Sequence, residues 1–253
     1  MSLISLNLGT VRSEINGKNL GCVTAVDLDM STAVVSTYKN GTIISPKSHK
    51  LLKPYGVLSI TTEEFGNVTS IIADMLNNLA VDSIEAVNFD CFSITGKVYL
   101  IPQFSFSLGS WTSITIKPIV KNFNFVNKPS PSSVIQSMPN RAITDNTDNL
   151  CYAIDLNGKL LSSLTFDTKC NYELIFDSYE QEILDCVINS FSVEINAGII
   201  DFESTDIPTE FDLNFNLIGG LYQLKIKDAI GIPQGFKSSK DYNTWHVKII
   251  GSL

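Results

Sequence analysis

Histidine occurs only twice, at His49 and His246, and charged residues make up just 17% of the chain. Nucleophilic catalysis through a Ser/His or Cys/His pair must recruit one of those two imidazoles. His49 sits in the polar stretch Ser45-Pro-Lys-Ser-His-Lys50, which reads as a loop. His246 sits between Trp245 and Val247 in an alternating, strand-like segment. Neither belongs to a Gly-x-Ser-x-Gly elbow or to a cysteine-protease setting. No set of three or four zinc ligands stands at close spacing. The phosphate-cradling patterns Gly-x-x-x-x-Gly-Lys and Gly-x-Gly-x-x-Gly are absent as well. The expectation is a protein without catalytic residues, bound metal or cofactor.

Basic clusters are missing too. The formal net charge is −8, and phosphate neutralisation needs grouped Lys and Arg. The nearest approaches, Lys225–Lys227 and Lys237–Lys240, alternate with other residues as exposed strand and turn faces do. No apolar run nears the roughly 20 residues that cross a bilayer as a helix. Met1-Ser-Leu-Ile-Ser-Leu-Asn-Leu lacks the basic start and apolar core of a signal peptide. The five cysteines (Cys22, Cys91, Cys151, Cys170, Cys186) are odd in number and form no Cys-x-x-Cys, so free thiols in a reducing compartment are expected. The sequons Asn40-Gly-Thr42 and Asn67-Val-Thr69 then count as chance matches.

Hydrophobic residues, in contrast, reach 44%, enough for a sizeable core. The polarity rests on 21 Asn and 28 Ser more than on charge. A surface low in charge repels its neighbours weakly, which suits an assembly subunit; an AT-rich codon bias explains the composition equally well. Polar and apolar residues alternate in Gln103–Leu108, Trp111–Ile116, Lys121–Phe125, Phe211–Leu217, Leu221–Lys227 and Thr244–Ile249. That period of two predicts half-buried antiparallel strands. Asn40-Gly41 and Asn157-Gly158 predict tight hairpin turns, the first joining Ala33–Tyr38 to Thr42–Ile44.

One amphipathic helix is expected over Thr62–Leu79. Thr61-Thr-Glu-Glu64 has the form of a capping box. Phe65, Val68, Ile71, Ile72, Met75, Leu76 and Leu79 follow at helical spacing. A shorter helical turn is expected at Ser178–Leu184. The predicted fold is therefore mainly β, an antiparallel sandwich or barrel with one helix packed on the sheet. Its expected organisation is a β lobe with the helix over 1–126, a Pro/Ser/Asn-rich loop or arm over 127–150, and a second β lobe over 151–253. The second lobe could be continuous with the first. Pro129, Pro131, Pro139 and Arg141 mark the arm as a candidate inter-subunit contact, since loops of that length are usually functional. A shared spacing, Phe89-x-Cys91-x4-Gly96 and Phe191-x-Val193-x4-Gly198, leaves open a duplicated β module or simple likeness between hairpins.

The carboxylates Asp201, Glu203, Asp206, Glu210 and Asp212 form an acidic stretch. A glycosidase could use two of them, or a calcium ion several. Asp201 and Glu203 flank Phe202, and Asp212 shares a phase with Asn214 and Asn216, so a solvated strand face is favoured. Asp145-x-Thr147-x-Asn149 lacks the glycine and glutamate of a calcium loop and reads as a turn, and Asp27-Leu-Asp29 reads as a strand face.

The helix Thr62–Leu79 followed by Phe89–Gly96 and Pro102–Leu108, with Phe191–Gly198 and Pro208–Leu217 as a second set, resembles phage tail-tube proteins and their baseplate relatives. The resemblance implies a homo-oligomeric ring or tube that packs against other virion proteins, is made in the host cytoplasm and ends in the virion. It implies DNA only as a non-specific passenger and no membrane. The acidic residues from Asp201 to Asp212 would then line the lumen. Two alternatives stand beside it: a neck or capsid decoration protein, and a carbohydrate-binding β-sandwich using Trp111, Trp245 and Tyr242 as stacking platforms.

Overall fold

The structure is a computed structural model that describes residues 12–21, 23–31, 34–38, 46–51, 55–77, 80–87, 93–108, 113–126, 148, 150–177, 182–201 and 209–253. The chain enters as β1 (Arg12–Ile15) and β2 (Lys18–Asn19), followed by β3 (Val23–Ser31), β4 (Val34–Tyr38), β5 (Pro46–Leu51) and β6 (Tyr55–Thr62). Helix α1 (Phe65–Leu76) then precedes β7 (Ala80–Val87), β8 (Ser93–Tyr99), β9 (Phe104–Ser107), β10 (Ser113–Ile116) and β11 (Ile119–Val126). The C-terminal part holds β12 (Cys151–Leu156), β13 (Lys159–Phe176), β14 (Ile183–Ile200), β15 (Phe211–Leu217), β16 (Gly220–Ser238) and β17 (Asn243–Ser252). The fold is mainly β and antiparallel, with α1 as the one α-helix among the described residues.

Two tight turns show how local chemistry sets register. Asn157 and Gly158 both have positive φ (51° and 74°), so β12 runs straight back as β13 with Leu156 opposite Lys159. Asn16-Gly17 does the same between β1 and β2, with φ of 52° and 73°. Asn and Gly tolerate this region at least cost, and the resulting turn matches the twist of paired strands.

The sheet is organised by a fork. Ile116 opposes Ile60 and Ile119 opposes Val57, so β10 and β11 follow one register along β6, broken only at Lys117-Pro118. There the Leu58 N–H donates to the Pro118 carbonyl at 3.0 Å, and proline has no N–H to return the bond. On the other edge of this interrupted strand the partners separate. β10 pairs with β9, which continues to β13, whereas β11 pairs with β8, which continues to β7, β1 and β2. In the C-terminal direction the order β13-β14-β17-β16-β15-β12 is closed by a β12–β13 pairing. Six antiparallel strands thus form a ring, and closure removes edges that would otherwise lie open.

Burial follows this layout. Alternate residues of β15 (Phe211, Leu213, Phe215), β14 (Val193, Ile195, Ala197, Ile199) and β17 (Val247, Ile249) point into the barrel. They belong to one continuous core with the buried stripe of α1, Phe65, Val68, Ile71, Ile72 and Met75. Phe65 joins the two parts: its ring stacks on Phe215 (centroids 4.3 Å apart, planes at 20°) and meets Phe106 edge-on at 5.8 Å. The sheet and the core therefore run through both expected lobes; of the expected arm, only Asp148 and Leu150 are described.

A second, smaller core lies on the other face of the N-terminal sheet. Neighbouring residues divide between the two, Val98 from Tyr99, Leu100 from Ile101 and Val120 from Ile119. The far end of the β13–β14 ribbon covers this face through Ile183, Cys186, Tyr172, Leu174 and Phe176. Polar ties hold it. Lys121 Nζ donates to the Ile183 carbonyl at 2.6 Å and to Tyr99 Oη at 2.9 Å. Tyr99 Oη donates in turn to the Leu184 carbonyl at 2.7 Å. Lys121→Met is expected to cost about 1–2 kcal/mol, because a charged donor to a part-buried carbonyl is lost. Hydrogen exchange should show it as faster exchange confined to amides 183–190; unchanged protection there would refute the tie.

Several expectations are corrected. Thr61 and Thr62 end β6 and form no capping box: Glu64 is the N-cap, without a side-chain cap bond. Thr62 Oγ1 instead donates to the Leu20 carbonyl and accepts from the Glu64 N–H, which ties strand to helix. The helix ends at Leu76, not Leu79, which lies outside the described residues. The partner of β4 is Pro46–Leu51, with Tyr38 opposite Pro46. His49 is therefore in a strand and not a loop; residues 39–45 lie outside the described residues. Of the helical turn expected at Ser178–Leu184, residues 178–181 lie outside the described residues, and Ile183 and Leu184 begin β14.

Candidate functional site

His49 belongs to the separate β4–β5 pair, and His246 to β17. Among the described residues no three His, Cys, Asp or Glu side chains gather as metal ligands. Cys151, Cys170 and Cys186 are free thiols, and burial pushes Cys186 up to about 11. At neutral pH that thiol is protonated and a poor nucleophile. Cys22 and Cys91 lie outside the described residues.

The acidic stretch is drawn out along the barrel. Asp201 has a φ of 49° at the end of β14, and its Oδ1 accepts the Asn243 N–H at 3.2 Å, beside the last pair of β16 and β17, Ser238 and Asn243. Glu210 follows Thr209, whose carbonyl accepts the Ala229 N–H. Between positions 229 and 238 of β16 lie about 30 Å of strand. Asp212 faces outward on β15 opposite Lys225. It lies in the same phase as Asn214 and Asn216, whose amides donate to Asp155. Glu203 and Asp206 lie outside the described residues, as do Pro129, Pro131, Pro139 and Arg141 of the arm and Trp111. Asp27 and Asp29 are exposed on β3, as a strand face requires. Trp245 is half-buried and lies against Phe236 with ring centroids 5.0 Å apart, and Tyr242 is exposed in the turn before β17.

The surface features that sequence reasoning missed are two long strand extensions. β14 pairs with β17 only from Val193 to Ile200, so Ile183–Ser192 has β13 on one side and no described strand on the other. β16 leaves β15 at Ile226 and continues to Ser238 along β17 alone. Both extensions carry exposed apolar side chains: Ile175, Leu184 and Val187 on the ribbon, and Ile230, Ile232 and Phe236 on β16, with Ile230 66% and Leu184 58% exposed. Continued alternation in Ile230-Gly-Ile232 was the available signal, hidden by Pro233, which reads as a strand breaker.

The glycines of the shared spacing occupy like settings. Gly96 lies between residues paired with Lys121 and Asn124, so it faces the two bulged residues Asn122 and Phe123. Gly198 faces a bulge in β13 between Leu161 and Ser163. No protein-family model and no curated protein matches the chain.

Proposed function

We propose that the protein is a virion structural subunit, of the phage tail-tube or baseplate type, that works by packing against copies of itself and against other virion proteins. The observation that supports this is the pair of strand extensions with exposed apolar side chains. Isolated soluble proteins shorten, charge or cover such edges to avoid pairing with other chains. Here Ile175, Leu184 and Val187 stand on one ribbon with an unpaired described edge, a surface that another subunit would bury. In this reading DNA is a passenger only, and a net charge of −8 keeps it from adhering. The placement in a tail rests on the sequence resemblance, and the assembly reading on the surface.

Electron microscopy and light scattering of the purified chain test it together. Rings or tubes are expected for the wild type. Leu184→Lys combined with Val187→Lys should give a folded monomer with an unchanged circular dichroism spectrum. A wild type that stays monomeric at high concentration would sink the proposal.

A further inference from the structure

One row of residues crosses four strands on the outer face of the barrel: Ser163 on β13, Gly198 on β14, His246 on β17 and Gly235 on β16. Both ends of the row are irregular. The register of β13 shifts between Leu161 and Ser163, and that of β16 between Pro233 and Gly235. Bulges re-aim side chains and concentrate beside binding sites. Here the first one sets Ser162 and Ser163 together over Gly198: a Cβ at Gly198 would lie 2.5 Å and 2.7 Å from their hydroxyl oxygens. With glycine as its register partner on both sides, His246 has no side chain directly opposite it on either neighbouring strand.

Ser162, Ser163 and His246 border an open cleft of about 280 Å³, completed by Lys237, Ser239, Tyr242 and Thr244. Thr244 is only 4% exposed. The lining therefore supplies an ammonium, an imidazole and five hydroxyls, and no carboxylate, in a chain of net charge −8. Neither Lys237 Nζ nor the His246 ring has a hydrogen-bond or ion-pair partner among the described residues. Ser162 Oγ donates to the Gly198 carbonyl, and Ser239 Oγ to the Tyr242 carbonyl. Of the carboxylates beside the cleft, Asp201 at the end of β14 is engaged by the Asn243 N–H, and Asp241, in the turn before Tyr242, is exposed and does not border the cleft.

We propose that this cleft binds a monosaccharide-sized phosphate or sulfate ester. The oxyanion is held by Lys237 and His246 with hydroxyl donation from Ser163 and Tyr242. A donor set with no acceptor-only group selects an anion. No arginine fork is present to favour a planar carboxylate, whereas a lysine point charge among scattered hydroxyls suits a tetrahedral oxyanion. The volume of about 280 Å³ holds roughly nine waters. That is more than a bare oxyanion displaces, and leaves space for one sugar ring. The site lies at the far end of the β16 extension but uses none of its apolar side chains, and it does not depend on the assembly reading.

Calorimetric titration of the full chain with glucose 1-phosphate, glucose 6-sulfate, inorganic phosphate and glucose tests the assignment, with the ring resonances of His246 as a second readout. Saturable millimolar binding of both esters is expected, weaker binding of inorganic phosphate, and none of glucose. Lys237→Gln should weaken the esters about tenfold and His246→Gln several-fold. Lys227→Gln, on the same strand but outside the cleft, should change nothing. Binding of glucose as tight as of its esters, an unmoved His246 ring, or wild-type affinity in Lys237→Gln would each overturn the proposal.

Discussion

Replacing Phe65 with alanine is expected to cost the folded state about 3–5 kcal/mol, the range for truncating a fully buried aromatic. The side chain is completely buried at the first position of α1. Its ring reaches Phe215 at 4.3 Å, Phe106 at 5.8 Å and Tyr222 at 5.9 Å, so it contacts β15, β9 and β16 at once. Removing it deletes the transfer energy of the ring and leaves a cavity bordered by a helix and two parts of one sheet. Those walls are tied by strand pairing and cannot collapse far. Urea denaturation measures the effect, read from the midpoint at an unchanged slope. A loss below about 1 kcal/mol would mean that Phe65 does not join the helix to the barrel.

Gly96→Val is expected to cost about 2–3 kcal/mol through overpacking. A Cβ at Gly96 would lie 2.8 Å from Val120 Cγ1 and 3.0 Å from both the Lys121 carbonyl and Phe123 Cβ. Two of those contacts are fixed by backbone position, so no side-chain rotation relieves them. The bulge opposite holds Asn122 at a φ of 51° and directs its amide to Glu182 Oε2 at 2.9 Å. Forcing β8 and β11 apart at this point should therefore also loosen the ribbon end that Lys121 and Asn122 hold. A thermal melt reads the stability loss, and proteolysis near residues 177–183 reads the loosening. A variant as stable as the wild type would show that the bulge accommodates a side chain.

Much of the fold was legible because one face of each half-buried strand must be apolar. Phe211-Asp-Leu-Asn-Phe-Asn-Leu217 announces β15 residue by residue, and the spacing from Phe65 to Met75 announces the buried face of α1. Asn157-Gly158 announces its turn, whereas the same dipeptide at Asn16-Gly17 adjoins a two-residue strand with almost no pattern of its own. The capping box failed because Thr62 is claimed by a longer-range bond to the Leu20 carbonyl. A local motif cannot reveal such competition. The length of β13, β14 and β16 was hidden for another reason. Past the barrel the β13–β14 ribbon lays one face on the second core while Ile175, Leu184 and Val187 are exposed, and β16 exposes Ile230 and Ile232, so apolar residues no longer mark one face alone and the alternation blurs. The cleft was invisible because its members come from three strands and a turn, brought into one row by register and two bulges. Nothing in the sequence places Ser163 or Lys237 beside His246 and Tyr242.

The fork at Lys117-Pro118 has a thermodynamic consequence. A single strand supplies hydrogen bonds to the helix-bearing half through β11 and to the barrel through β10 and β9. Neither half can melt without stripping backbone partners from the other, and the buried aromatic cluster around Phe65 would be torn open in the same event. The interrupted strand thus makes the chain one cooperative unit, with a single calorimetric transition where two lobes separated by an arm would give two.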